Sequence, residues 1–118
     1  MDKEAAHAFV QDWLEAWNTK DLPRILAHYA EDIEMRSPLI ARLGVQPDGC
    51  LRGKPALSAY WHKALNLHPE VRFDLEGVLV GVNSLVIHYR LPTGRRAAEV
   101  MAFNEGGRVC RSHAHYEV

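Results

Sequence analysis

Glu99 stands in the middle of an apolar stretch, "RRAAEVMAF", that covers residues 95–103. Strand alternation puts Ala97, Glu99, Met101 and Phe103 on one face and Ala98, Val100 and Ala102 on the other, so the carboxyl shares its side with the bulkiest apolar groups. Desolvation by such neighbours pushes a carboxyl pKa upward, and the neutral acid then donates a hydrogen bond. If Arg36, Arg90 or Arg96 reaches Glu99 instead, its pKa falls and the result is a buried ion pair. Both readings stand at this level.

His88, between Ile87 and Tyr89, is a strand-borne base with a natural pKa near neutrality. It faces a cavity with Val86 and Arg90 or points outward with them, and a one-residue slip of register reverses the answer. Tyr116 shares a strand face with Cys110, Ser112 and Ala114, and its hydroxyl either serves a ligand or is tied to backbone in the core. His113 and His115, on the opposite face with Arg111, have the i, i+2 spacing of a two-point metal clamp. They lack a third ligand and the helical HExxH spacing, so no metal is expected and an outer-face role suits them better. No GxSxG elbow, phosphate loop or serine triad occurs, and neither Cys50 nor Cys110 sits in a nucleophile signature.

The elements that must position these groups are legible as changes of period. Ala6, Phe9, Val10, Trp13, Leu14 and Trp17 recur at helical spacing, opposite a mainly acidic side. After a break at residues 18–20, Asp21 caps a second helix with Pro23 in its first turn, carrying Leu22, Ile25, Leu26 and Tyr29 inward. Residues 33–37 alternate as a short strand that stops at Pro38, and residues 39–53 read as a glycine-rich loop long enough to form a lid or rim. Lys54 and Pro55 open a third helix bearing Leu57, Tyr60, Trp61, Ala64 and Leu65, which ends near His68 and Pro69. From Val71 onward the period is two, with turns at residues 81–83, 92–94 and 104–107, so hairpin-linked antiparallel strands complete the chain.

The whole is one α+β domain, residues 1–118, without internal repeats or low-complexity segments. A formal net charge of -1 with interspersed signs gives nothing to track a phosphate backbone, so nucleic acid is not an expected partner. No basic leader followed by an apolar core opens the chain, and no apolar run approaches the ~20 residues that span a bilayer. A cytoplasmic protein with reduced cysteines and no membrane association is expected.

The pieces "WNTKDLPRILAHYAEDIEMRSP" (17–38), "LRGKPALSAYWHKAL" (51–65) and "EVMAFNEGGRVCRSHAHY" (99–116) together resemble the nuclear transport factor 2-like superfamily, which includes ketosteroid isomerases and SnoaL-like polyketide cyclases. The resemblance implies a cone: a curved, mainly antiparallel (mixed) sheet wrapped around three N-terminal helices, with an apolar pocket at its open end and a homodimer formed through the outer face of the sheet. It also sets Glu99 where ketosteroid isomerases hold a neutral carboxylic acid against the reacting oxygen. Tyr29 keeps a supporting tyrosine position, whereas Trp61 replaces another. Two positions depart from that pattern. Ser37 replaces the aspartate that serves as general base, and a hydroxyl without a partner cannot remove a carbon-bound proton as a carboxylate can. Trp13 replaces the oxyanion tyrosine and can donate only an N–H.

The expected function is therefore binding of an apolar or aromatic small molecule that carries a carbonyl or hydroxyl. If an enzyme, the protein would be a cofactor-free isomerase, cyclase, dehydratase or hydrolase, and not a standard ketosteroid isomerase. Glu99 would polarise the substrate with His88 or Tyr116 assisting, and Trp13, Tyr29, Ser37, Trp61, Met101 and Phe103 would line the pocket. The alternative is a non-catalytic module that binds a ligand or a protein, with Glu99 structural.

Overall fold

Asp2 starts helix α1 (Lys3–Asn18) by accepting a hydrogen bond from Ala5 N at 2.7 Å, and Thr19 ends it by returning its hydroxyl to Glu15 O at 2.7 Å. The apolar side of α1 is buried along Ala6, Val10, Trp13, Leu14 and Trp17, as its spacing requires. Lys20, at φ 57°, reverses the chain, and Asp21 caps α2 (Leu22–Leu26) through Arg24 N at 3.2 Å. In the computed structural model, which describes residues 1–118, α2 is shorter than its periodicity suggests: Tyr29 begins strand β1 (Tyr29–Arg36) instead of closing the helix. The cause is non-local, because Val109 N bonds His28 O at 2.9 Å and draws the chain into the sheet.

Residues 39–53 are also more ordered than a loop. Ser37 caps a short helix, α3 (Pro38–Arg42), by accepting from Leu39 N at 3.2 Å, and Cys50–Arg52 forms strand β2 against β1. Gly49 makes the return tight: it has φ +72°, and a Cβ there would lie 3.2 Å from Ser37 O. Helix α4 (Lys54–Leu67) begins and ends where its proline and His68 signals put it. The following segment contributes no strand until β3 (Asp74–Gly81), although alternation begins at Val71. Phe73 spends its backbone on Asn18, donating N–H to Oδ1 at 2.8 Å and accepting from Nδ2 at 3.1 Å, while Lys20 Nζ holds Val71 O at 3.0 Å. These bonds tie the segment to the end of α1 in place of a neighbouring strand.

Strands β4 (Ser84–Arg90), β5 (Arg96–Phe103) and β6 (Val109–Tyr116) complete an unclosed six-stranded sheet of order β2-β1-β6-β5-β4-β3. Only β1 and β6 run parallel. The fold is α+β with a mixed sheet and its helices gathered in the N-terminal half. Its core is aromatic: Trp13 stacks on Phe73 at 5.5 Å, Phe73 meets Tyr89 at 4.3 Å, and Trp17 meets Trp61 edge-on at 4.9 Å. Truncating a fully buried tryptophan such as Trp13 removes about 3–5 kcal/mol, so this cluster is the main anchor of α1 on the sheet. No helix is long and apolar enough to cross a membrane.

Candidate functional site

Register decides which side chains meet. Val78, Ile87, Glu99 and Ala114 form one cross-strand row on the inner face of β3, β4, β5 and β6, and Leu75, Tyr89, Ala97 and Tyr116 form the next. Glu99 is therefore buried, with 7% of its surface exposed, and the Tyr89 hydroxyl donates to its Oε2 at 2.7 Å. That bond leaves Oε1 without a protein partner. Burial lifts the Glu99 pKa to about 7, while the Tyr89 hydroxyl, and to a lesser degree that of Ser112, pull it down. Ser112 Oγ is buried but makes no hydrogen bond of good geometry, so the lowering is assigned mainly to Tyr89.

No cation offsets the carboxyl. Arg36 pairs with Glu34 at 3.6 Å, Arg90 with Glu76 at 2.6 Å, and Arg96 with Glu117 at 2.8 Å. Each of the three candidate arginines thus pairs with an acid other than Glu99, which is not part of an ion pair.

Glu99 sits at the wall of a cavity of about 420 Å³, a size suited to a small organic ligand. Thirteen of its nineteen lining residues are hydrophobic. Helix α4 supplies Tyr60, Trp61, Ala64 and Leu65, α1 supplies Trp17, and the tethered segment after α4 supplies Val71 and Phe73. The sheet contributes the polar groups: Glu99, Tyr89, Tyr116 and, where β1 gives way to α3, Ser37. His68, Glu70, Pro92 and Thr93 are exposed and mark the mouth. Burial and the nearby Glu99 raise the Tyr116 pKa, with the Ser37 hydroxyl acting the other way, so Tyr116 is a neutral donor throughout the physiological range.

Of the residues expected from the sequence, Glu99, Tyr116, Ser37 and Trp61 are brought together here. The others lie elsewhere. Trp13 is fully buried beneath the cavity and donates its indole N–H to Tyr29 Oη at 3.0 Å, so these two form a core pair and not a wall. Met101 is fully buried in the row of Val80, Leu85 and Ser112. Phe103 follows a register shift and packs edge-on against Phe9 at 4.9 Å, away from the cavity. His88 requires correction: it faces outward with Val86, its ring over Gly77 on the neighbouring strand, where a Cβ would come within 2.4 Å of Nε2. It is therefore no partner for Glu99. His113 and His115 are on the same outer face, and no group of three or more His, Cys, Asp or Glu side chains is placed to hold a metal. Tyr89 escaped the sequence reading. The signal was its place in the alternation of Leu85, Ile87 and Tyr89, which becomes informative only once β4 is paired with β5.

The SnoaL-like domain family profile matches residues 10–112. A SnoaL-like protein of unknown function from Burkholderia thailandensis is 42% identical, with a TM-score of 0.94 over 100% of this chain and 99% of that one. A candidate isomerase of the SnoaL-like family from Agrobacterium tumefaciens has 22% identity and a TM-score of 0.76 over 98% of this chain and 99% of its own. A candidate polyketide cyclase from Sinorhizobium meliloti, 13% identical, superposes with a TM-score of 0.74 over 90% and 92% of the two chains. No curated protein matches. At these identities the last two speak for the fold alone. The profile match across most of the chain, with the near-complete superposition on the Burkholderia protein, means that this chain belongs to the SnoaL-like family of the nuclear transport factor 2-like superfamily.

Proposed function

We propose that the cavity binds an apolar or aromatic small molecule bearing a carbonyl or hydroxyl, and that the protein acts on it as a cofactor-free isomerase, cyclase or dehydratase. One observation carries the reading: a carboxyl with a pKa of about 7 faces an apolar cavity and has no cation beside it. A group poised near neutral pH is present in both protonation states and serves as general acid or base. Because Tyr89 donates to Oε2, the proton of the neutral form belongs on Oε1, from which it can be given to a substrate oxygen. Tyr116 offers a second neutral donor to the same cavity, and the apolar walls exclude the water that would weaken both bonds. Ser37 uses an Oγ lone pair on Leu39 N and its hydroxyl acts on Tyr116, so it supports that donor and is not a strong base.

The alternative is a non-catalytic module that binds a ligand in the same cavity or a protein through the outer face of the sheet; an acid without an arginine partner at an open cavity supports chemistry over it.

The test is a thermal-shift screen of neutral bicyclic carbonyl compounds and phenols, since a ligand at a hundred times its Kd adds about 2.7 kcal/mol of stability. Compounds that bind are then followed for conversion by the wild type and by Glu99→Gln. Conversion lost in the variant is the expected result; conversion at the wild-type rate removes Glu99 from the chemistry.

The reading includes a homodimer formed through the outer face of the sheet. Leu79, Val86 and Val100 form a cross-strand row there, and Leu79 and Val100 are exposed. An apolar row of this kind can meet its own copy across a two-fold axis.

A further inference from the structure

Six aromatic rings line the cavity, those of Trp17, Tyr60, Trp61, Phe73, Tyr89 and Tyr116. Two carboxyls share it, Glu99 inside and Glu70 at the mouth, and no lysine or arginine lines it. Ring faces attract a cation through their quadrupole, and the attraction is largest where water is excluded. A carboxylate among such rings, with only a tyrosine hydroxyl as partner, lacks the positive charge that a desolvated anion requires. We infer that the cavity takes hydrophobic amines as a second ligand class, the ammonium group lying against Glu99 and the rings enclosing the remainder.

This inference rests on the reading of the cavity as a site for apolar small molecules, and adds the charge its ligands can carry. A carboxylate ligand is rejected, since it would meet Glu99 with no cation to offset either charge. A neutral alcohol of the same shape fits the walls but gains only an ordinary hydrogen bond. The groups that face or share the space with Glu99 are Tyr89 from β4, Tyr116 from β6, Tyr29 from β1, Tyr60 from α4, and His68 and Glu70 at the mouth. The tyrosines with resolved shifts are all raised and stay neutral, and His68 sits beside Glu70 at 3.3 Å on the exposed rim, so Glu99 is the group inside whose charge changes near neutral pH.

The test compares naphthylmethylamine, naphthalenemethanol and naphthoate by titration calorimetry at about pH 6 and about pH 8.5. With Glu99 titrating near 7, its ionised fraction rises about tenfold across that interval, and the amine's affinity for the wild type should rise by a similar factor while that of the alcohol stays level. Glu99→Gln should lose the rise with pH for the amine; the wild-type pH comparison stands without it if the variant misfolds. The inference is overturned if the amine binds no better than the alcohol at the higher pH, if its affinity ignores pH, or if naphthoate binds as well. Alcohol binding without amine binding would sink the amine proposal and leave the cavity reading intact, whereas no binding by either would remove both.

Discussion

The Tyr89 hydroxyl donates to Glu99 Oε2 at 2.7 Å, joining neighbouring rows of the sheet on adjacent strands. This bond favours the ionised acid, against the burial that disfavours it. Removing it in Tyr89→Phe should therefore raise the Glu99 pKa above about 7, read from the carboxyl carbon shift of Glu99 by NMR titration. Any activity should move its pH profile upward with it. A pKa that falls in Tyr89→Phe would mean that the bond supports the neutral form instead.

Glu99 also makes stability depend on pH with an unusual sign. Its folded pKa is about 7 and its unfolded value about 4.3, so between these the native state binds more protons than the unfolded chain. The contribution is undiminished below the unfolded value and is lost as pH rises through 7. The total is about 4 kcal/mol. Glu99→Gln, which keeps an acceptor for Tyr89 and carries no charge, should match the wild type below about pH 4 and exceed it by about 3–4 kcal/mol near pH 8.5 in urea denaturation. Equal stabilities at the higher pH would show that Glu99 is not desolvated as described.

Ala114 pairs with Glu99 across β5 and β6 and lines the cavity. Ala114→Leu should fill space beside the carboxyl and weaken any cavity ligand by tenfold or more, with folding stability changed by less than about 1.5 kcal/mol because the new methyl groups enter an existing void. Unaltered ligand affinity would locate binding elsewhere.

Val100 tests the proposed dimer. Val100→Arg places a charge in the exposed apolar row, and sedimentation should show a shift from dimer to monomer with the fold retained by circular dichroism. A wild type that is monomeric at high micromolar concentration would dispose of the proposal.

His88 supplies the control. Because it faces outward, His88→Gln should leave the pH profile of any activity unchanged, and a profile that loses a limb would restore His88 to the mechanism.

Periodicity made the major elements legible, and it failed where a distant partner set the local structure. Helices α1 and α4 carry long apolar stripes, with Asp2 capping α1 and a proline in the first turn of α4, so their bounds follow from local chemistry. Tyr29 joins a strand because Val109 lies 80 residues away, and Val71 and Phe73 stay out of one because Asn18 and Lys20 claim their backbone. The site divides in the same way. Glu99 stood out as an acid in a greasy strand, but its pairing with Tyr89, like the outward turn of His88, depends on register between strands. Trp13 and Tyr29 were expected to line the pocket, but their pairing beneath the cavity depends on how deeply α1 is seated against the sheet.

The parallel pairing of β1 with β6 governs the order in which the molecule can assemble. Strands β3 to β6 are successive neighbours and can zip as a meander, whereas β1 and β2 have no place in the sheet until β6 is there to receive them. During synthesis helix α1 must wait, its aromatic side uncovered, for nearly the whole chain to emerge, a period in which chaperone capture competes with folding. Ser37 comes from the early strand and Tyr116 from the late one, so the cavity is complete only in molecules whose two halves have met.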